Sequence, residues 1–188
     1  MNIEQWQQFL KHYSIELLDE YSNIEVDEEV YQNQWMGYEA ATETQIVEAE
    51  KRLGISLPNS LRNFYLVTNG WRETGCFIYD ILPVEEIDWL RIRDSDLYGI
   101  ACELEEIQAT SNEHRYQQGT QVKRSLAISS WEDAAIWLLD PAEQNAQGEW
   151  AGGRWASWNP AMKWTATSFA ELMKLELEDF IRLRDGEQ

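Results

Sequence analysis

Hydrophobic positions in the first third of the chain recur at helical spacing. Residues 1–20 place apolar side chains at steps of three and four residues, which predicts a first helix. These side chains are Ile3, Trp6, Phe9, Leu10, Tyr13, Leu17 and Leu18. A second stripe of Ile46, Ala49 and Leu53 predicts another helix. Thr42 and Gln45 have the spacing of a capping box at its start, and Gly54 suits the left-handed position just past its end.

The chain then turns a tight corner into a further predicted helix. Pro58 suits the first helical turn, where its missing N–H costs nothing. Leu61, Phe64, Tyr65 and Val67 form the expected buried face, and Asn69-Gly70 is expected to stop the helix because both residues tolerate positive φ. The segment 23–41 has no regular period and is expected to be strand-like or irregular.

Beyond Trp71 the hydrophobic period changes to two, which is typical of strands. The predicted short strands lie within 76–84, 126–141, 148–158 and 163–167. Glu132-Asp133 and Gly152-Gly153 are expected to be hairpin turns. The stretch 94–121 is the least regular and contains a candidate helix at 101–113.

Ser168 and Glu171 have the spacing of another capping box, which predicts a closing helix. The fold class expected is α+β: a single domain with N-terminal helices, a meandering, mostly antiparallel sheet and a C-terminal helix. Residues 1–41 are predicted to be an N-terminal helical extension of the same domain that residues 42–188 form.

Composition supports a folded domain inside the cell. The 188 residues include ten Trp, eight Tyr and five Phe, which excludes a disordered acidic polymer. No segment has the apolar length of a membrane span, and the first residues lack a signal-peptide pattern, so a cytoplasmic location is expected. Cys76 and Cys102 are expected to be buried free thiols, although a disulfide between them stays open.

The net charge of −19 is the most informative number. A polyanion repels phosphate backbones and anionic bilayers, so no nucleic acid and no membrane is expected as a partner. It attracts basic proteins, although acidity for solubility alone is the competing interpretation.

The acidic residues are concentrated in two blocks. Eleven lie between His12 and Glu50 without any Lys or Arg, and ten lie between Asp80 and Glu113 with only Arg91 and Arg93. We predict that partner contacts come from these blocks, against the alternative of a solvated helical face. The candidate contact residues are Glu16, Asp19, Glu20, Glu25, Asp27, Glu28, Glu29, Glu85, Glu86, Asp88, Asp94 and Asp96.

Catalytic chemistry has little support in the sequence. The two histidines, His12 and His114, lie far apart, and no metalloprotease, redox, nucleophile-elbow or phosphate-loop motif is present. Carboxylate pairs are too abundant in so acidic a chain for any one to indicate acid–base or metal chemistry. The chain is therefore predicted to be no enzyme, with no catalytic residue, metal or cofactor.

Four tryptophans crowd the C-terminal half and allow two interpretations. Trp150, Trp155, Trp158 and Trp164 could form a stacking platform for a sugar or a base. Alternatively, they fill strand faces and pack against the helices, which is the commoner role of aromatic side chains in strands.

The run IVEAEKRLGISLPNSLRNFYLVTNGW resembles the SUKH superfamily, which includes fungal cell-wall-assembly and killer-toxin-resistance regulators and many bacterial immunity proteins. The matching features are Leu53-Gly54, Leu57-Pro58, Phe64-Tyr65 and Asn69-Gly70. Further matches are ILPVEEI at 81–87, WLLDP at 137–141, Gly148-Glu149-Trp150 and SFAELM at 168–173. The resemblance spans about Thr42 to Met173, so residues 42–188 are expected to be a SUKH-like domain.

The resemblance implies an α+β scaffold with a partner-binding surface and no common catalytic motif. Bacterial members are implied to neutralise toxins from neighbouring cells, and eukaryotic members resemble regulatory adaptors. We therefore expect a cytoplasmic immunity protein, a monomer or weak homodimer, that binds a cognate toxin or other basic protein. The alternative is a regulatory or scaffold binding module without a toxin.

Overall fold

The computed structural model describes residues 1–19, 24–75, 80–110, 119–131, 135–156 and 166–186. Four helices precede the first strand, three lie between the first and second strands, and one follows the last strand among the described residues. Their bounds are α1 Ile3–Leu17, α2 Glu28–Asn33, α3 Glu43–Leu53, α4 Asn59–Tyr65, α5 Leu90–Arg93, α6 Ser95–Thr110, α7 Gly119–Lys123 and α8 Phe169–Arg184. Among these residues, no helix combines the length and the apolar character that a bilayer span requires.

Local capping chemistry sets the bounds of α3 as the sequence predicts. The Thr42 hydroxyl accepts from the Gln45 N–H, and the Gln45 side chain accepts in return from the Thr42 N–H. Gly54 ends the helix at φ 72°, in the left-handed region that favours glycine. The capping box and the glycine stop are both confirmed.

A contact distant in sequence caps α4. Pro58 precedes the helix and supplies no side-chain cap, so the first N–H groups of α4 need another acceptor. Glu149 provides it, because one carboxylate oxygen accepts from the Ser60 N–H at 2.9 Å and the other from the Ser60 hydroxyl. The Trp6 indole donates to the Ser60 carbonyl at 2.9 Å and ties α1 to the same corner.

Four antiparallel strands form one sheet in the order β1-β2-β3-β4. They are β1 Asp88–Trp89, β2 Leu126–Ala127, β3 Ala135–Gln144 and β4 Trp150–Ala156. The sheet, the leading helices and the closing helix confirm the expected α+β class. In the long hairpin Leu139 pairs with Gly152, and the register shifts between Asp140 and Gln144.

Alternate residues of β3 face two different cores. Trp137 and Leu139 join the main core, to which α1, α3, α4 and α8 contribute. Ile136 and Leu138 face a smaller core with Trp155 and residues of α5, α6 and α7. Trp150 and Trp155 are each 2% exposed, so these two fill cores and offer no stacking platform. Trp158 and Trp164 lie outside the described residues.

One expectation about a hairpin turn is wrong. Gly152-Gly153 is no hairpin turn, since both residues pair within the β3–β4 hairpin and its turn lies at 145–148. A Cβ on Gly152 would lie 2.6 Å from Leu139 and 3.3 Å from Leu172, so the glycine lets α8 approach the sheet. The other expected turn, Glu132-Asp133, lies outside the described residues.

Three element boundaries also differ from expectation. The segment 23–41 contains the short helix α2, in which Val30 is the buried residue. Helix α4 ends at Tyr65, before Asn69-Gly70. At the start of α8, Ser168 accepts from the Glu171 N–H, but the Glu171 carboxylate accepts from Thr167 in place of Ser168, so that capping box is incomplete.

Candidate protein-binding cleft

Three extended segments meet beside the sheet and form the floor of a cleft. Trp71 pairs with Gly37 on one side and with Ile81 on the other, and Ile81 in turn pairs with Ser129. The Trp71 N–H donates to the Ile81 carbonyl at 3.1 Å, and the Ile81 N–H donates to the Trp71 carbonyl at 2.8 Å. Chain segments that are far apart in sequence are thereby placed side by side.

Asn69 and Gly70 lie at the junction of these segments. The Asn69 side chain accepts from the Val84 N–H at 2.8 Å and donates to the Glu85 carboxylate at 2.9 Å. Gly70 has φ 110°, and a Cβ there would lie 2.9 Å from the Ile81 carbonyl oxygen and 3.3 Å from the Tyr38 ring. Asn69-Gly70, which the sequence predicted as the end of a helix, therefore forms a closely packed turn beside the cleft.

Tyr38 stands in the middle of the cleft and is held from two directions. Its N–H donates to the buried Thr68 hydroxyl at 2.8 Å. The Arg72 guanidinium lies 3.7 Å from the centre of the Tyr38 ring, a cation–π distance. Arg72 is itself fixed, because it donates to the carbonyls of Met36 at 3.1 Å and Gly37 at 2.6 Å. Tyr38 as a whole residue remains 39% exposed.

A cavity of about 700 Å³ opens beside Tyr38. Two smaller hollows of about 450 and 430 Å³ adjoin it, and Tyr38 lines all three. Arg72 lines the two smaller hollows, whereas Asn69, Leu82 and Pro83 belong to the large one. We call this continuous depression around Tyr38 the Tyr38 cleft.

Carboxylates from both acidic blocks line the Tyr38 cleft. The first block supplies Glu25, Asp27, Glu29 and Glu39, the second supplies Asp80 and Glu86, and Glu73 lies between the blocks in sequence. The fold thus brings together two acidic stretches that are about fifty residues apart in sequence. The result is a depression lined by several carboxylate residues, with Tyr38 common to all three of its parts.

Burial perturbs two titratable groups of the cleft. It raises the pKa of Asp80, an effect that a backbone hydrogen bond from Glu73 and the charge of Arg72 only partly oppose. Burial and the nearby Asp80 carboxylate likewise raise the pKa of Tyr38. An ionised Asp80 is therefore short of solvation and would gain from an added cation.

Four of the candidate contact residues line the cleft, and two more are close to these four in sequence. Glu25, Asp27, Glu29 and Glu86 line the Tyr38 cleft. Glu28 is exposed on α2 and accepts from Gln32 at 3.2 Å. Burial disfavours ionisation of Glu85, but hydrogen bonds from Asn69 and Gln45 outweigh it and lower the pKa of this carboxyl.

The remaining candidates that the structure describes do not line the cleft. Glu16 pairs with Arg184 at 2.9 Å, and Asp88 pairs with Arg52 at 3.0 Å. Asp94 accepts from the Leu97 N–H at 2.8 Å and from the Trp131 indole. Asp19 is exposed after α1, and Asp96 is exposed in the first turn of α6. Glu20 lies outside the described residues.

Sequence reasoning missed the centre of the cleft. Tyr38, Asn69 and Arg72 were not among the candidates, and neither were the lining carboxylates Glu39 and Asp80, although both belong to the acidic blocks. The only available signal was the Asn69-Gly70 pair, which also carries the family resemblance.

One histidine and one cysteine lie among the described residues. Within them, no three His, Cys, Asp or Glu side chains come together in an arrangement that could hold a metal ion. His12 lies on α1 with its ring 3.7 Å from the Glu16 carboxylate. Cys102 is a partly exposed free thiol on α6. His114 and Cys76 lie outside the described residues.

The fold and the site together define an α+β domain with an open cleft lined by carboxylates. A family model described as SMI1 / KNR4 family (SUKH-1) matches residues 40–175. The match covers more than half of the chain, so the chain belongs to the SMI1/KNR4 family (SUKH-1). The resemblance found between Thr42 and Met173 is confirmed, and membership fits a toxin-immunity or regulatory role. A comparison with curated proteins found no match.

Proposed function

We propose that the chain is a cytoplasmic, non-catalytic immunity protein that binds and neutralises a cognate toxin. The toxin is a basic, nuclease-like protein, and it docks on the Tyr38 cleft. The observation that carries this proposal is the convergence of both acidic blocks around one partly exposed tyrosine. Family membership supports the non-catalytic part.

Electrostatics favour a basic partner at this surface. Among the described residues, seven carboxylates line the cleft, and the one basic lining residue, Arg72, is bound to backbone carbonyls. A basic surface that enters the cleft relieves repulsion among these carboxylates. Complementary potentials also steer association and raise on-rates toward about 10⁸–10⁹ M⁻¹s⁻¹ at low salt, which suits rapid capture of a toxin.

Neutralisation follows from the same geometry. A nuclease needs basic groups where it holds a phosphate backbone. An acidic cleft that covers those groups removes the surface on which nucleic acid binds. The toxin is therefore inhibited by occlusion, without any chemical change.

The alternative function is a regulatory or scaffold module of the cell-wall-assembly-regulator type, without a toxin partner. It uses the same acidic surface, so the identity of the partner distinguishes the two functions. Under the immunity proposal, the product of a neighbouring gene is a toxin that this chain binds and inhibits. Binding to an endogenous regulatory protein, with no effect on any neighbouring gene product, favours the alternative.

The binding surface is tested with a triple charge reversal in the first acidic block, Asp27→Lys, Glu28→Lys and Glu29→Lys. The matched control reverses three exposed carboxylates that do not line the Tyr38 cleft, Glu48→Lys, Glu103→Lys and Glu178→Lys, and changes the net charge equally. Circular dichroism first establishes that each variant is folded. Affinity for the neighbouring gene product is then measured at two salt concentrations.

We expect the first triple variant to bind at least about tenfold more weakly, with a shallower salt dependence, because charges opposite the partner are reversed. The control should retain most of the affinity. Equal effects of the two triple variants would show that only net charge matters and would overturn the assignment of the cleft.

A further inference from the structure

The aromatic wall of the large cavity has one face already paired with a guanidinium. Arg72 lies over the Tyr38 ring at 3.7 Å and lines only the two smaller hollows. The large cavity is lined by Tyr38 without Arg72. Tyr38 is thus a fixed, partly exposed aromatic wall.

The rest of the cavity wall combines carboxylates with oriented amides. Glu39, Asp80 and Glu86 contribute the acidic groups. Gln45 and Asn69 both donate to the Glu85 carboxylate, which fixes their orientation. An aromatic face beside carboxylates, in a cavity of about 700 Å³, has the chemistry and the room to take one long cationic side chain.

We propose that this cavity receives one arginine side chain of the protein partner, stacked on Tyr38 and paired with the carboxylates of Asp80 and Glu86. The inference rests on the proposed function, since it names the group by which the partner is held. Arginine fits better than lysine because a planar guanidinium stacks on an aromatic ring, pairs with carboxylates through two N–H groups and is weakly hydrated.

Short peptides test the inference without the partner. The probes are Ac-Gly-Arg-Gly-NH₂ and its lysine and citrulline counterparts, added to the ¹⁵N-labelled full chain at up to about 10 mM, because single side chains bind in the millimolar range. The side-chain amide signals of Gln45 and Asn69 report on the cavity. We expect the arginine peptide to shift both signals, the lysine peptide to bind more weakly and the citrulline peptide to shift neither.

Four variants sharpen the test. Tyr38→Leu should weaken binding of the arginine peptide about twofold to fivefold, the range expected when a cation–π contact is lost. Tyr38→Phe keeps the ring and should bind as the unchanged chain does. Glu86→Gln should also weaken binding, whereas the exposed control Glu103→Gln should leave it unchanged.

Two results would overturn the inference: equal binding of the arginine and lysine peptides with no effect of Tyr38→Leu, or shifts confined to residues outside the cavity. Failure here leaves the proposed function standing if the neighbouring gene product still binds through the acidic carboxylates. Peptide binding in a chain that binds no neighbouring gene product supports this inference and counts against the immunity role.

Discussion

Glu176 should make the stability of the fold depend on pH in the direction opposite to most carboxylates. This residue lies on α8 and is only 7% exposed. Its Oε1 atom occupies the space that a Cβ on Gly75 would need, so the carboxyl group packs directly against the backbone. Burial raises its pKa from 4.5 to about 7, a change that the charge of Arg154 opposes and that of Asp179 reinforces.

The direction of this pH dependence follows because the folded state retains a proton on Glu176. Because the folded-state pKa is raised, the folded protein holds this proton over a pH range in which the unfolded chain has released it. The contribution to stability is fully present below about pH 4.5 and is lost as the pH rises through about 7. The difference of about 2.5 pKa units corresponds to about 3 kcal/mol, since each unit is worth about 1.36 kcal/mol.

The assay compares the unchanged chain with Glu176→Gln, which keeps the shape and cannot ionise. Urea unfolding gives the free energy of unfolding of both proteins at several values between about pH 5 and pH 8. The free energy of unfolding of Glu176→Gln, relative to that of the unchanged chain, should increase by about 2–3 kcal/mol from about pH 5 to pH 8. Any constant effect of the amide cancels, because only the change in the difference is interpreted.

Glu178→Gln is the matched control, since Glu178 is an exposed carboxylate on the same helix. The difference in free energy of unfolding between Glu178→Gln and the unchanged chain should not change with pH. If the corresponding difference for Glu176→Gln is also independent of pH, burial does not raise the pKa of Glu176 and the prediction is refuted.

Two further predictions concern stability. Gly54→Val should lower the free energy of unfolding by about 1–2 kcal/mol, because Gly54 has φ 72° and no atom lies near its missing Cβ, so the cost is conformational. Thermal melts test this, and an unchanged melting temperature with loss of partner binding would instead make the corner a contact site. Arg124→Met should cost about 2–3 kcal/mol, because it leaves the fully buried Asp140 without the guanidinium that donates to both of its oxygens. Chemical unfolding measures this cost. The control Arg182→Met removes an exposed ion pair and should change the free energy of unfolding little. Equal losses in the two variants would contradict the role of burial.

Elements defined by neighbouring residues were predictable from the sequence. The box at Thr42 and Gln45 and the stop at Gly54 depend on contacts within one helical turn, so a short pattern contains all the necessary information. The same holds for the apolar periods of α1 and α8. Helix α2 escaped prediction because it has six residues and a single buried side chain, too few to show a period.

Features that depend on distant contacts could not be predicted. Gly152 resembles a turn residue locally, but its lack of a side chain serves the approach of Leu172 from α8. The acidic blocks were visible in the sequence as charge. Their convergence on Tyr38 depends on the pairing of Trp71 with both Gly37 and Ile81, and no local pattern encodes that pairing.

The central claim, that the Tyr38 cleft is the partner-binding surface, is tested most directly by hydrogen–deuterium exchange. The experiment compares the free chain with its complex with the neighbouring gene product. We predict that protection on binding concentrates in the segments that line the cleft, namely 25–29, 37–42, 69–73 and 80–86. Unchanged exchange in these four segments, with protection confined to the outer faces of α6 and α8, would contradict the account.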